Sequence, residues 1–477
     1  MGMIPLANRG NERVGDGFAR IALRIAGWAL PVVIVAAPVA IGSVHLTTSV
    51  LLGVIASLAG IVLARFGDHG GLRVTVHPLV WVGLAAVSWC LVQVLPLPSG
   101  WLAALSPHSA RIRADAMAVT GSVVWPSVSL EPGDTIGSLL RFLPSLMVFW
   151  LTSILGTRSH LAERIQWSVG VAGIVVVMIG VAHWTLGAER ILGFYASHDA
   201  PGLQPAAGWF TTFVNANNSA GFLLLPTFLW LGMALDPERR QVRVLAFLAF
   251  LVCGTGIVLS RSLGGQYAFI AGAAILMAVR LFLLRREDNE EPALRRGLAS
   301  ILLSGIVFLG LALFAWRVWL HSTGNDVAPE FATKTVAWKA ALPVIMDFGG
   351  MGAGPGTTAS LLPPTGLRVF DTFYFVENFL LQVLLDFGIP FGLALLGGIC
   401  WFSRRILRFG FANLRWLGVV VGLVTLVIQN LADFSFAIPG VAIPAAALLG
   451  LLAGREAAEH QTARMPEEGT RAARIAL

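Results

Sequence analysis

The chain has 477 residues, of which 56% are hydrophobic and only 12% charged, with a net charge of +7 and a mean hydropathy of +0.77. A soluble domain of this size carries roughly twice that charged fraction, so a sizeable water-soluble domain is excluded. The excess positive charge is arginine set between apolar runs, which fits membrane topology and gives no support to nucleic-acid binding.

Apolar runs of about 20 residues recur from end to end, each long enough to cross the hydrocarbon core as a helix. They predict an all-α, polytopic membrane protein of about 12 transmembrane helices, forming a single membrane domain over 1–477. The spans are expected near 19–41, 46–64, 78–96, 134–156, 164–187, 216–235, 242–260, 264–284, 298–320, 376–402, 411–431 and 434–454. With this order, the arginines fall on alternate connections. One side receives Arg20 and Arg24, Arg65 and Arg73, Arg158 and Arg164, then Arg239, Arg240 and Arg243. The same side takes Arg285, Arg286, Arg295 and Arg296, then Arg404, Arg405, Arg408 and Arg415, and finally Arg455. The positive-inside rule makes that side cytoplasmic and puts both termini on it. The first apolar run is full length and lacks a convincing cleavage site, so no cleavable signal peptide is expected. Cys90, Cys253 and Cys400 all fall inside expected spans and read as small buried apolar residues.

Three outer segments are long. The first, about 97–133, contains an amphipathic piece at 101–117 that is expected to lie flat at the interface. The second, about 188–215, passes Arg190, His198 and Asp199 and ends in Asn215, Asn217 and Asn218. The third, 321–375, is a long periplasmic loop between helices 9 and 10, read as a lid-like segment. It holds both lysines of the chain, Lys334 and Lys339, with Arg368 and a glycine run at 349–356. Ionisable groups at a membrane boundary are costly and mark function by default. Nucleotide sugars and ATP are cytoplasmic, so an outward-facing enzyme requires a donor already carried across, and lipid-linked intermediates meet that need.

Arg261 sits on an outer turn of about three residues, on the side that arginines avoid. It either snorkels to headgroups or grips phosphate with its planar fork. Glu377 and Asn378 open the tenth span, where Asn378, Gln382 and Asp386 share one helix face. Glu377 is either an ordinary first-turn acid or a group that takes the proton of an acceptor hydroxyl. Trp338 and Tyr374 offer faces for sugar stacking, although Trp338 also suits an interface aromatic. Arg141, Arg190 and Arg317 add further outer cations, and Asn215, Asn217 and Asn218 either cap the sixth helix or bind glycan hydroxyls. The glycine run lacks the Lys-Ser/Thr ending of a phosphate-binding loop, so tight turning explains it better. No metal-ligand spacing and no hydrolase elbow is present, and no cofactor is called for. A transfer driven by a diphosphate leaving group held by cations fits these residues.

Several pieces in order resemble the O-antigen ligase and polymerase family of bacterial membrane glycosyltransferases. They are Gln93 to Pro98 with Ser106-Pro107, Ser129-Leu130-Glu131-Pro132 with Thr135, Thr212 to Ala220, Ser260-Arg261, Gly352 to Thr357, and Glu377-Asn378 with Leu381-Gln382 and Asp386. Arg261 with Gly272 also matches the Arg-x10-Gly spacing of polymerases. The resemblance implies a donor glycan on undecaprenyl diphosphate and an acceptor glycan, lipid-linked or lipid A core. It implies a multi-pass protein of the bacterial inner membrane with its active site periplasmic. It further implies that Arg261 engages the diphosphate, helped by Arg190, Lys334, Lys339 or Arg368, while Asn217, Asn378 and Gln382 fix sugars. Where ligases carry His-Asn, this chain has Glu377-Asn378, a tilt towards chain polymerisation or another acceptor. The rival from another class is a twelve-span transporter or flippase. It suits the sequence less well, because the central connection is only a few residues long and polar groups collect outside rather than at mid-bilayer.

Overall fold

A computed structural model describes residues 6–66, 74–121, 125–196, 209–286, 327–362 and 373–463. The helices, in chain order, are α1 (Leu6–Val39), α2 (Leu46–Phe66), α3 (Pro78–Val94), α4 (Ser99–Leu105), α5 (Pro107–Thr120), α6 (Pro132–Leu155), α7 (Ser159–Thr185) and α8 (Ala216–Leu235). They continue with α9 (Arg243–Leu259), α10 (Leu263–Arg286), α11 (Val327–Asp347), α12 (Thr358–Leu361), α13 (Phe379–Phe387), α14 (Ile389–Ala412), α15 (Leu414–Asn430) and α16 (Pro439–Ala463). Among the described residues there is no strand, and eight helices are long and apolar enough to cross a membrane. Two shorter apolar helices, Pro78–Val94 and Leu414–Asn430, join them. The chain is therefore a polytopic, all-α membrane protein. The span expected at 298–320 lies outside the described residues, as do Arg317, Arg368, His198 and Asp199.

The helix ends follow local chemistry. His77 caps α3, its ring accepting from Leu79 N, with Pro78 at the first helical position. Asn215, Asn378 and Asn413 cap α8, α13 and α15 by accepting from backbone N–H groups two or three residues on. The single helix expected over 376–402 is in fact two, α13 and α14. Gly388 stands between them at φ 78°, a left-handed conformation that ends one helix and re-aims the next. A further correction concerns Cys400, which is exposed on α14, whereas Cys90 and Cys253 are buried.

At the centre runs α8, buried continuously from Asn218 to Ala234 and packed on α7, α9, α10 and α15. The main core gathers α1, α2, α6, α7, α8, α9, α15 and α16. A second, smaller core forms from Ala337, Ala341 and Ile345 of α11 with Phe348, Ala353, Val376 and Leu385. It turns the stretch expected to be a hydrophilic interruption into a helix with its own apolar seat.

The expected alternation of connections is visible in the packing. Glu163 at the start of α7 reaches Arg239 at 3.6 Å and Arg415 at 3.3 Å. Arg455 donates to Ser159 Oγ at 3.1 Å, and Arg405 meets Glu456 at 2.9 Å. The connections α6–α7, α8–α9 and α14–α15 therefore share one arginine-rich end with the last turns of α16. The opposite end gathers the finish of α3, both short helices α4 and α5, the start of α8, the α9–α10 turn, α11 to α13, and the α15–α16 turn.

Candidate functional site

At the end opposite the arginines, the turn between α15 and α16 is the meeting point. Gln429 donates to Asn217 O at 2.8 Å and to Asp433 Oδ2 at 3.2 Å. Asp433 is 1% exposed, and its Oδ1 accepts from Phe434 N at 2.6 Å. Ser435 Oγ donates to Asn218 Oδ1, and Asn430 Oδ1 accepts from Phe436 N. A polar run at the end of an apolar helix thus finds most of its partners within itself, although the buried Gln429 Oε1 has none. Two backbone carbonyls of the turn face outward from this network. Lys334 Nζ donates to Ala432 O at 2.7 Å, and Asn378 Nδ2 donates to Leu431 O at 2.8 Å. Phe375 stacks on Phe434 at 4.4 Å, seating the 373–379 segment against the turn.

Glu377 is held from several directions. Lys334 Nζ lies 3.4 Å from Glu377 Oε2, although the two residues are far apart in sequence. Trp338, one turn along α11 from Lys334, donates its indole N–H to Glu377 O at 3.0 Å. Glu377 itself adopts φ 60°, a left-handed conformation that costs a non-glycine residue about 1 kcal/mol or more. It stands one residue before the cap Asn378, outside the first turn of α13, so the ordinary helix-dipole role does not describe it.

Arg261 has the same unusual backbone, at φ 59°. Its turn is fixed by short-range bonds: Ser262 N donates to Ser260 Oγ, and Gly265 N donates to Ser262 Oγ. The residues that follow rest on the meeting point. A β-carbon at Gly264 would touch Gln429 Cγ at 3.7 Å, and one at Gly265 would strike Ala220 at 2.4 Å. Arg261 itself is exposed at the head of this turn. Gly272, by contrast, is a packing position inside α10, where a β-carbon would lie 2.2 Å from Thr425.

The glycine run supports this assembly from below. Gly352 and Gly354 have φ 80° and 90°, and the chain between them pairs with α13: Ala353 N donates to Leu385 O and Gly354 N to Asp386 O. Gln93 Nε2 donates to both Met351 O and Asp386 O at 2.7 Å. Thr135 Oγ1 donates to Pro355 O at 2.9 Å. Arg113, buried and fixed to Ser127 and Ser129, pins the connection that leads into α6. Burial lowers its pKa from the ordinary arginine value, and Glu131 opposes the shift. The expected flat interfacial piece is thus two helices carrying a buried arginine clamp.

Of the residues singled out in the sequence, Lys334, Trp338, Glu377 and Asn378 converge on the α15–α16 turn, and the Arg261 turn and Asn217 adjoin it. Tyr374 is exposed three residues before Glu377, and Lys339 is exposed on α11. Gln382 points inward and binds the protein itself. Arg190 is exposed on a turn whose contacts run to His183 and, through Tyr195, to His45, and not to the α15–α16 turn. Sequence reasoning passed over Gln429 and the carbonyls of Leu431 and Ala432; only the polar run Gln429-Asn430 at the end of an apolar helix signalled them.

No curated protein matches the chain at a significant level. Residues 246–397 match the family model described as O-antigen ligase. That stretch runs from α9 through the Arg261 turn, Lys334 and the glycine run to Glu377, Asn378 and α14, and over it the chain is similar to the O-antigen ligase family.

Proposed function

We propose that this protein is a glycosyltransferase of the polymerase or ligase type, acting at the periplasmic face of the bacterial inner membrane. Its donor is an oligosaccharide on undecaprenyl diphosphate, and its acceptor is a second glycan, lipid-linked or on the lipid A core. The observation that carries the reading is the convergence of Lys334, Glu377 and Asn378 on a turn that also abuts Asn217 and the Arg261 turn. All but Asn217 lie within the matched stretch.

In this reading an acceptor hydroxyl oxygen attacks the anomeric carbon of the donor. The new glycosidic C–O bond forms as the bond to the diphosphate breaks, and the prenyl diphosphate departs with the electron pair. Glu377 orients the hydroxyl and receives its proton. Lys334 holds the Glu377 carboxylate in one orientation, which keeps the base within reach of the attacking oxygen. Arg261 clasps the leaving diphosphate, where a planar fork of donors stabilises the charge that develops. Arg190, Lys339 and Arg368 supply further positive charge along the path of the anion, Tyr374 and Trp338 offer faces to sugars, and the 321–375 segment serves as a lid.

Complementation of a strain lacking the protein tests the assignment. Arg261→Ala and Glu377→Gln should each abolish or sharply shorten the surface polysaccharide at normal protein level. Full-length product from both variants would sink the reading. Purified protein with a lipid-linked repeat unit then separates the two types, since a polymerase lengthens lipid-linked chains and a ligase transfers to a second acceptor.

A further inference from the structure

Gln382 does not face the open side of the site; it is a peg under Glu377. Its Oε1 accepts from Val376 N at 2.9 Å, at the residue immediately before Glu377. Both hydrogens of its Nε2 are engaged, one on Thr358 Oγ1 at 3.0 Å and one on Asp386 Oδ1 at 2.8 Å. An amide can turn over and exchange its oxygen for its nitrogen, and its neighbours decide which way it faces. Thr358 does not decide, because a hydroxyl donates or accepts as required. Val376 and Asp386 decide together, since the backbone N–H needs the amide oxygen and the Asp386 carboxyl Oδ1 accepts from its NH2. With the amide turned over, Gln382 would present oxygen to Asp386 and NH2 to Val376 N–H, so both contacts would be lost. The backbone of Asp386 is itself held by Gln93 and Gly354, so the selector does not move.

We propose that Asp386 is a positioning residue for the proposed transfer reaction, acting through the Gln382 amide to hold the strained Val376–Glu377 backbone that aims the Glu377 carboxylate. The inference rests on the reading of Glu377 given above. It assigns Gln382 to the same chain of contacts, in place of direct sugar binding. Because Asp386 is buried and held by Gln382, its effect reaches the substrate only through geometry.

The decisive variant is Asp386→Asn, which preserves shape but gives Gln382 a partner able to donate, and so lets the amide turn over. It is assayed on purified full-length protein with a synthetic prenyl-diphosphate-linked repeat unit. A misplacement of about 1 Å lowers turnover by roughly 100-fold; kcat is therefore expected to fall about 10- to 100-fold, with KM for the lipid-linked donor and the melting temperature little changed. In the Glu377→Gln background, Asp386→Asn should cause no additional loss, because nothing is left to aim. The exchange Gln382→Glu with Asp386→Asn restores the bonds in mirror form: Glu accepts from Val376 N, from Thr358 and from the Asn amide. It should recover most of the lost turnover.

Wild-type kcat in Asp386→Asn, with Glu377→Gln inactive, would overturn the proposal and leave the Glu377 reading intact. Losses that multiply in the double variant, or an exchange that recovers nothing, would also overturn it and mark Asp386 as a packing residue only. A fully active Glu377→Gln would instead remove the reading on which the proposal stands. If Asp386→Asn fails to accumulate, the exchanged pair decides alone: near-wild-type turnover supports the proposal, and loss of turnover at normal melting temperature rejects it.

Discussion

At the arginine-rich end of the molecule, Glu163 is shared between Arg239 and Arg415, and its side chain is 48% exposed. At the opposite end Lys334 is 8% exposed, with its ammonium fixed between Ala432 O and the Glu377 carboxylate. In the first arrangement one half-exposed carboxylate is shared between two arginines, and ion pairs with a solvent-exposed partner contribute about 0–1 kcal/mol each. The second removes a lysine from water and gives it two partners, so losing a partner leaves a charge uncompensated. The backbone shows the same contrast. Among the described residues, the non-glycine residues with positive φ are Ile41, Ser43, Leu192, Arg261 and Glu377, and all lie away from the arginine-rich end. Backbone strain persists only where surrounding structure holds it in place. One end therefore gathers many arginines around shared carboxylates, and the other fixes a single lysine between one carboxylate and one carbonyl.

Substitutions at the two ends should separate these descriptions. The largest effect is expected from Gly352→Ala. Its β-carbon would sit 2.4 Å from Asp386 O on a backbone at φ 80°, so the glycine run must leave α13. A loss of about 3 kcal/mol or more is expected, seen as failure to accumulate or a melting temperature far below wild type. Lys334→Met comes next. It leaves Glu377 without its cation, and because the Glu377 side chain is 20% exposed the cost is set below the full buried-pair value, at about 2 kcal/mol. Polysaccharide synthesis should fall with it, and normal synthesis in a strain making only Lys334→Met would remove Lys334 from the site. Arg415→Ala should cost the least. Its pairs with Glu163 and Glu238 are partly exposed, so a change under about 1 kcal/mol and normal polysaccharide are expected. Equal damage from Arg415→Ala and Lys334→Met in the same unfolding measurement would erase the contrast.

Much of the architecture was legible in the sequence because its determinants are local. Apolar length announces a span, and an asparagine cap at the start of the sixth span was a reading that Asn215 on α8 bears out, whereas the caps Asn378 and Asn413 emerged only in the structure. The break at Gly388 was missed because the apolar run continues across it without a proline to interrupt it; Pro390 comes two residues later, where a first helical turn accepts it. Glu377 and Arg261 stood out in the sequence as charge in an unexpected place, whereas their shared left-handed backbone did not, since residue type alone does not dictate φ.

By itself, the sequence determined that this is an all-helical membrane protein with alternating arginine-rich connections, because hydrophobic length and charge act residue by residue on the membrane. Only the tertiary structure decided that Lys334 meets Glu377, that Gln93 staples the glycine run to α13, and that Gln382 turns inward rather than towards a ligand. The first two pairings join residues separated by whole helices. They arise from the pressure on buried donors and acceptors to find partners, a condition set by the packed assembly and not by any single segment.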